Sequence, residues 1–270
     1  EAFKNHFLPV QGVGLGRLEF IIASHITIHP NALIGYAALK RKLRKTPYEA
    51  RTLREIERLT KGYADKRVYY VDKLAEGIAR IGAAFSPHDV IIRFSDFKTN
   101  EYRKLTGGEL YEPEEENPML GWRGASRYYD PKFAKAFGLE CRALKKVREE
   151  MGLGNVIPMI PFCRTPKEGR AVLRAMAAHG LSKKIDRKLK VYVMCEIPSN
   201  VILAKEFLDI FDGMSIGSND LTQLTLGLDR DWWIVTRIAN ENDPSVKNLV
   251  RTAIAECRKA SDRVMSVEVV

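Results

Sequence analysis

Short apolar runs alternate with helical stretches along almost the whole chain. Many of these runs contain β-branched residues, and a charged or small polar residue follows them. Strands separated by helices indicate β/α units with right-handed crossovers and a parallel sheet. Seven candidate strands lie at residues 12–20, 90–96, 118–124, 156–162, 191–194, 213–216 and 264–270. The pattern predicts an α/β fold, a TIM (β/α)8 barrel; since closure needs eight strands, either one strand is hidden or the barrel is incomplete at its C-terminus.

The length suits one such barrel, because 270 residues is close to the roughly 250 that this fold commonly occupies. We therefore expect a single domain over residues 1–270. Helical periodicity runs from Asn31 to Phe85 and is broken at Pro47 and Gly62. This part of the chain predicts a helical insertion over about residues 38–85.

Charge narrows the classes of function. Lys and Arg outnumber Asp and Glu by 44 to 34, which gives a formal net charge of +10. Much of the excess lies between Arg41 and Arg67, on helices expected to be solvated, and no nucleic-acid-binding motif accompanies it. The balance therefore favours a small anionic substrate over nucleic acid.

Targeting and disulfide signals are not found in the sequence. No run of about 18 apolar residues is present, and no signal pattern precedes the first apolar segment. The four cysteines, Cys141, Cys163, Cys195 and Cys257, form no C-x-x-C pair. We expect a cytoplasmic protein with reduced thiols, no membrane contact, and neither a zinc knuckle nor a disulfide scaffold.

Polar side chains follow nearly every predicted strand. Because the carboxyl ends of parallel strands meet at one face of a barrel, we expect these side chains to converge. The predicted site residues are Arg17, Arg93, Arg123, Glu196, Gly217, Ser218, Asn219 and Asp220. Taken one at a time, they have ordinary structural explanations, such as a surface ion pair, a helix cap or a turn. Their joint occurrence at matching strand ends is what favours a site.

The chemistry of this set is that of phosphate and metal binding. Guanidinium groups bind phosphoryl and carboxylate oxygens through pairs of parallel hydrogen bonds. The two carboxylates, Glu196 and Asp220, can hold Mg²⁺ and leave coordination positions for substrate oxygens. We predict a Mg²⁺-dependent site for a small phosphorylated acid.

Two other motifs are rejected as sites. The glycines at 12–16 resemble a dinucleotide-binding G-x-G-x-x-G pattern, but Arg17 stands where the third glycine belongs. The acidic run at residues 112–116 is interpreted as a solvated loop, because adjacent glutamates diverge in direction and repel one another.

Five ordered motifs carry a resemblance to a known family. They are Gly12-Val-Gly-Leu-Gly-Arg-Leu-Glu-Phe20, Arg93-Phe-Ser-Asp-Phe-Lys-Thr-Asn-Glu-Tyr102, Asn117-Pro-Met-Leu-Gly-Trp-Arg-Gly124, Cys195-Glu-Ile-Pro-Ser-Asn200 and Gly217-Ser-Asn-Asp-Leu-Thr-Gln223. Together they resemble the C-terminal PEP/pyruvate-binding barrel of the phosphoenolpyruvate synthase family, over nearly the whole chain. The wider family includes pyruvate phosphate dikinase and the sugar phosphotransferase enzyme I, and the residues after Arg93 and Glu196 are more similar to the synthases.

The resemblance implies a phosphotransferase that converts ATP, pyruvate and water to AMP, PEP and phosphate. In that family, ATP phosphorylates a histidine on a mobile domain, which passes the phosphoryl group to the enolate oxygen of pyruvate. By motif position, the three arginines are implied to be catalytic, the two carboxylates to bind Mg²⁺, and Gly217, Ser218 and Asn219 to line the substrate. The implied partners are PEP or pyruvate, the mobile phosphohistidine domain and a second copy in a homodimer.

Parts of the family pattern are missing from this sequence. Its ATP-grasp and phosphohistidine domains are absent, and Thr27-Ile-His29 lacks the neighbouring glycines of a phosphohistidine loop, so His29 is interpreted as structural. The family's Cys-Gly-Gln/Glu proton-transfer motif is absent from residues 264–270, and Cys257 lies in a predicted helix. We expect a fragment of a longer enzyme, which binds PEP or pyruvate with Mg²⁺ but does not turn over alone. Two alternatives stay open: enzyme I-type transfer from PEP to a carrier protein, and a non-catalytic dimerisation or regulatory module.

Overall fold

Six parallel strands form a single sheet in the computed structural model of the chain, which describes residues 2–229, 232–260 and 265–268. The strands are β1 Val13–Arg17, β2 Val90–Arg93, β3 Val156–Ile160, β4 Tyr192–Cys195, β5 Gly213–Gly217 and β6 Met265–Glu268. They pair in sequence order, and every pair is parallel. Each connection must therefore cross back over the sheet, which is the β/α arrangement that the sequence predicts.

Helices fill most of the connections between strands. In the described part of the chain they are α1 Ala2–Asn5, α2 Leu18–Ile21, α3 Pro30–Ile34, α4 Tyr36–Arg41, α5 Pro47–Leu59, α6 Lys66–Phe85, α7 Thr99–Tyr102, α8 Ala125–Tyr128, α9 Ala134–Lys145, α10 Pro166–Ala178, α11 Pro198–Ile202, α12 Ala204–Leu208, α13 Ser218–Leu226, α14 Trp233–Thr236 and α15 Pro244–Lys259. Two π-helical turns, Ile22–Ile26 and Lys146–Glu150, and a 3-10 turn, Gly108–Leu110, also occur. No helix in these ranges combines the length and apolar character needed to cross a bilayer.

Four of the longer helices, α5, α6, α10 and α15, begin where a local side chain accepts from a free backbone N–H group. At the start of α5, Thr46 Oγ1 accepts from the N–H of Glu49, while Glu49 Oε2 accepts from the N–H of Thr46. Pro47 occupies the first helical position, where its missing N–H costs nothing. The longest helix, α6, starts at Asp65, whose side chain accepts from the N–H of Arg67.

The strands enclose a small apolar interior and present their other face to the helices. Side chains alternate between the two faces along each strand. The buried inward-facing cluster consists of Ile91, Ile157, Met159, Tyr192 and Met194, with Leu15 packed against it. Neighbouring residues such as Ile92 and Val193 belong instead to the larger core shared with the helices. The sheet curls far enough that Cα atoms of β1 and β6 come within 8 Å of each other. The fold is therefore α/β and of the (β/α) barrel type, with six strands in the described ranges.

The prediction of a strand at residues 118–124 is wrong. This segment forms a turn that leads into α8 and pairs with no strand in the described structure. Pro118 offers no N–H to a sheet ladder, and Gly124 has a positive φ of 57°. A Cβ at Gly124 would lie 2.7 Å from the carbonyl oxygen of Pro161, so the turn packs directly on the end of β3.

The prediction of a solvated acidic loop is also wrong at Glu112, which is buried. Its two carboxylate oxygens accept from the Arg127 guanidinium at 2.9 and 2.5 Å, and Oε1 also lies 2.9 Å from His29 Nε2. The N–H of Asn31 donates to His29 Nδ1, which assigns the ring proton to Nε2. Burial lowers the pKa of His29, so a neutral imidazole donates to Glu112. A glutamate in an acidic run is internal here because an arginine fifteen residues later neutralises it.

Candidate functional site

A cavity of about 560 Å³ opens at the carboxyl ends of the strands. Every site residue that the sequence predicts lies on its lining: Arg17, Arg93, Arg123, Glu196, Gly217, Ser218, Asn219 and Asp220. Arg17, Arg93 and Gly217 are the last residues of β1, β2 and β5, and Glu196 follows β4 directly. The first turn of α13 supplies the remaining strand-exit residues.

Strand register brings these side chains together. Arg17 and Arg93 are Cα partners at the ends of adjacent parallel strands. Cys195 pairs with Ile216, so the residues that follow them, Glu196 and Gly217, also lie side by side. A Cβ at Gly217 would lie 2.9 Å from both Cβ and Oε2 of Glu196, closer than real contacts allow. The glycine is therefore needed for the glutamate to occupy its place.

Arg123 enters the same cavity from the turn before α8. Its Nε and Nη2 donate to the two oxygens of Asp96 at 3.1 and 2.5 Å, and Nη1 donates to Asp220 Oδ1 at 3.2 Å. The guanidinium lies over the ring of Phe162, 4.0 Å from its centroid. These contacts fix the plane of the guanidinium, and only 4% of the side chain is exposed.

Two acids that the sequence analysis did not select hold the second arginine. Arg93 Nη2 donates to Glu19 Oε1 at 3.0 Å, and Arg93 Nη1 lies 3.9 Å from Asp96 Oδ2. Glu19 Oε1 also accepts from the N–H of Asp96 at 2.5 Å. Sequence proximity could have pointed to both acids, since Glu19 is two residues after Arg17 and Asp96 three residues after Arg93.

The outer wall of the cavity was also missed. Phe97, Lys98 and Glu101 reach it from the segment that begins α7, and Lys104 reaches it from just beyond that helix. The ammonium of Lys98 lies 3.6 Å from Glu101 Oε1. These residues fall inside the second resemblance motif or just after it, so that motif was the available signal.

Arg93 and Arg123 stay positively charged although both side chains are largely buried. Burial by itself would lower the pKa of Arg93, but the charges of Glu19 and Asp96 outweigh it and raise that pKa above its usual value. Burial likewise opposes ionisation of Arg123, yet Asp96 and Asp220 raise its pKa. The cavity therefore presents permanent cations with fixed orientations.

The carboxylates of Asp220 and Asp96 lie close enough to Glu196 to disfavour its ionisation. Its Oε1 accepts from the N–H of Phe162 at 2.6 Å, and only 1% of the residue is exposed. Burial raises the pKa of Glu196 above its usual range, and the charges of Asp220 and Asp96 raise it further. A divalent cation between Glu196 and Asp220 would remove this repulsion, and both are the hard oxygen ligands that Mg²⁺ prefers.

These residues fit a Mg²⁺ site with few protein ligands. Among the described residues, no group of three or more His, Cys, Asp and Glu side chains is arranged to hold a metal ion. Protein Mg²⁺ sites commonly use one or two carboxylates and complete the shell with water and substrate oxygens. The pair Glu196 and Asp220 agrees with that pattern.

Comparison with known proteins gives a family match over almost the whole chain. The family model described as PEP-utilising enzyme, PEP-binding domain, matches residues 1–267. Among solved structures, an HpcH/Hpal aldolase/citrate lyase family protein from Burkholderia cenocepacia aligns with a TM-score of 0.43 and 15% identity, covering 73% of this chain and 65% of that one.

Curated relatives are much more similar. The chain is 58% identical over 268 residues to phosphoenolpyruvate synthase of Synechocystis sp., an alignment that covers 99% of this chain and 32% of that protein. It is 51% identical over 258 residues to phosphoenolpyruvate synthase of Escherichia coli, covering 96% and 31%. The chain thus spans about a third of the length of the curated relatives it matches. With a family model over residues 1–267 and these identities along its length, the chain belongs to the PEP-utilising enzymes and corresponds to their PEP-binding domain.

Proposed function

We propose that this chain forms the PEP/pyruvate site of a phosphoenolpyruvate synthase, an enzyme that converts ATP, pyruvate and water to AMP, PEP and phosphate. The observation that carries the proposal is the convergence of three arginines and two buried carboxylates on one cavity, at Arg17, Arg93, Arg123, Glu196 and Asp220. PEP combines a phosphoryl group with a carboxylate. A site of several guanidinium groups and a cation suits both.

The arginines bind and orient the anionic groups. Arg93 Nε is buried and has no hydrogen-bond acceptor in the described structure. A buried donor without a partner is costly, and we propose that a small shift of the side chain on binding presents this donor to an oxygen of the ligand. Arg123, whose donors face Asp96 and Asp220, supplies a fixed charge beside the same place. These charges neutralise the phosphoryl oxygens as the group is transferred.

Glu196 and Asp220 would hold Mg²⁺. When bound, the cation would supply Lewis-acid stabilisation of the negative charge that develops on the keto oxygen of pyruvate. Gly217 leaves room for the Glu196 carboxylate, and Ser218 is kept in place by a hydrogen bond of 3.1 Å from its Oγ to Glu241 Oε1. The chain's own contribution is thus to place the metal ligands and the residues beside them.

We further propose that the phosphoryl donor and the proton carrier are not part of this cavity. The five histidines and four cysteines all lie within the described ranges, and none of them is among the residues that line this cavity there. All four cysteines are buried. A mobile phosphohistidine domain would supply the donor, so the chain alone binds PEP or pyruvate without turning it over.

Titration calorimetry with PEP or oxalate, with and without Mg²⁺, tests the site. We expect binding that requires Mg²⁺ and that Asp220→Asn weakens at least about tenfold, because the ligand charge is lost while the shape is kept. Asp209→Asn is the matched control, since that carboxylate is half exposed on the surface. Failure of the wild-type chain to bind either anion in the presence of Mg²⁺ would contradict the proposal.

A further inference from the structure

Arg123 reaches the cavity from a turn, so sheet pairing does not fix its position. Backbone hydrogen bonds within the turn, such as Arg123 N to Gly121 O at 3.1 Å, shape it, and Ala125 N to Pro161 O at 3.0 Å ties its C-terminal end to the exit of β3. Two arginines hold its carbonyl groups: Arg127 Nε donates to Trp122 O and Arg164 Nη2 donates to Gly121 O, each at 2.7 Å. Two carbonyl groups of the turn are therefore held by side chains from outside it.

Glu115 is the side chain that anchors an N–H group of the same turn. Its Oε1 accepts from the N–H of Trp122, the residue before Arg123, at 2.9 Å. Its Oε2 accepts from Thr99 Oγ1 at 2.8 Å. Thr99 is buried at the start of α7, directly after the cavity residue Lys98. One carboxylate thus joins the turn that carries Arg123 to the wall that carries Lys98.

The shape of the turn is adapted to this carboxylate. A Cβ at Gly121 would lie 2.3 Å from Glu115 Oε1 and 2.5 Å from its Oε2, so a larger residue at this position would displace the carboxylate. Its neighbour Glu114 differs in exposure and in partner. Its side chain is 82% exposed, and it pairs with Arg103 at 3.0 Å. The acidic run therefore contains one residue that faces solvent beside one that is packed into the turn.

We propose that Glu115 is a positioning residue, which fixes Arg123 relative to the wall at Phe97 and Lys98 and so sets the affinity of the cavity for an anionic ligand. The ligand part of this inference rests on the proposed function. Small displacements of a positioned group lower affinity and rate steeply. Without the carboxylate, the N–H of Trp122 and the hydroxyl of Thr99 have no common acceptor. The turn then loses its link to α7, and the position of Arg123 depends more on its own contact with Asp96.

The test compares Glu115→Ala, Glu115→Gln and the control Glu114→Ala in the intact chain. A glutamine can keep both contacts, because its carbonyl oxygen accepts from Trp122 and its NH₂ group donates to the threonine hydroxyl. We expect Glu115→Ala to weaken Mg²⁺-dependent oxalate binding about tenfold, because both hydrogen bonds that link the turn to α7 are lost. Glu115→Gln and Glu114→Ala should bind as the wild type does.

Hydrogen exchange measured by mass spectrometry reports how firmly the turn before Arg123 is held, and it needs no ligand. Amides of residues 121–123 should exchange faster in Glu115→Ala, at an unchanged unfolding midpoint, and should return to the wild-type rate in Glu115→Gln. Wild-type oxalate affinity in Glu115→Ala, or a loss that Glu115→Gln does not rescue, would overturn the inference. If the wild-type chain binds no oxalate, the proposed function fails, and exchange alone decides the positioning role: equal rates in Glu115→Ala and wild type would refute it.

Discussion

Arg93 and Arg123 are held by carboxylates inside the protein. Arg123 is bonded to Asp96 and Asp220, and Arg93 to Glu19. Such buried pairs gain little net stability, because both charges lose their hydration. Their effect is on geometry: the guanidinium planes are set before a ligand arrives, so less ordering is needed on binding.

Replacement of Arg93 by lysine tests the importance of guanidinium geometry. Lysine keeps the charge but loses the Nε donor, which is buried without an acceptor in the described structure. We expect oxalate or PEP affinity to fall about tenfold or more while the unfolding temperature changes little. Arg170→Lys, on the exposed face of α10, is the control. Equal affinities of Arg93→Lys and wild type would show that charge alone suffices.

Gly217→Ala tests how closely the backbone approaches Glu196. The added methyl group would meet Glu196 Cβ and Oε2 and Met194 Cε, all at 2.9 Å, so the carboxylate has to move. We expect Mg²⁺-dependent ligand affinity to fall at least about tenfold, since metal ligation tolerates little displacement. Gly154→Ala is the matched control, because nothing lies within 4 Å of its added Cβ. Titration calorimetry measures the affinity of both variants. Similar affinities of Gly217→Ala and Gly154→Ala would argue against Glu196 as a metal ligand.

Among the elements, the exit of β2 is fixed from behind by α9. The N–H and hydroxyl of Ser95 donate to the two oxygens of Glu140 at 3.1 and 2.5 Å, and Tyr128 donates to the Ser95 carbonyl at 2.9 Å. Ser95 lies two residues after Arg93 and directly before Asp96. The buried acid of one helix thus holds the strand end from which two cavity residues project.

This arrangement makes stability depend on pH. Burial raises the pKa of Glu140 from 4.5 to about 7, although its hydrogen bonds with Ser95 oppose the rise. A folded-state pKa above the unfolded one means that the folded protein binds more protons between these two pH values. The contribution of Glu140 to the free energy of unfolding is therefore fully present below pH 4.5 and is lost as the pH rises to about 7. The loss is up to about 3 kcal/mol, because each pH unit that separates the two pKa values corresponds to about 1.4 kcal/mol.

Urea unfolding of wild type and Glu140→Gln between pH 4.5 and 8 measures this contribution. The difference in unfolding free energy between the two proteins should change with pH in favour of Glu140→Gln as pH rises, because the amide cannot ionise. Glu206→Gln removes an exposed carboxylate of α12 and should follow the wild-type profile. A constant difference across the range would show that Glu140 does not titrate between the folded and unfolded states.

For the molecule as a whole, the sheet and one irregular connection build the cavity together. The ends of β1, β2, β4 and β5 supply one part of the lining, in the order set by parallel pairing. The connection from α7 to α8 supplies Arg123, and polar side-chain contacts hold it in addition to its short 3-10 turn and the bridge from Thr106 to Ile28. Glu112 with Arg127 and Glu115 with Thr99 are its internal anchors.

The sequence by itself determined the fold class and the set of residues at the strand ends. Periodicity places β1, β2, β4 and β5 to within a few residues, and in a parallel sheet all carboxyl ends share one face, so Arg17, Arg93, Glu196 and Asp220 converge. Both inferences depend on local pattern and on a general rule of topology. Neither needs knowledge of which distant side chains touch.

Only the tertiary structure decided which charges are paired and which part of the chain places Arg123 in the cavity. Glu112 lies in an acidic run that looks solvated until Arg127 and His29 are seen against it. Arg123 follows an apolar run that looks like a strand until the glycine turn is seen packed on β3. The reason is physical: the burial of a charge depends on partners that the fold brings from elsewhere in the chain, and local sequence does not record them.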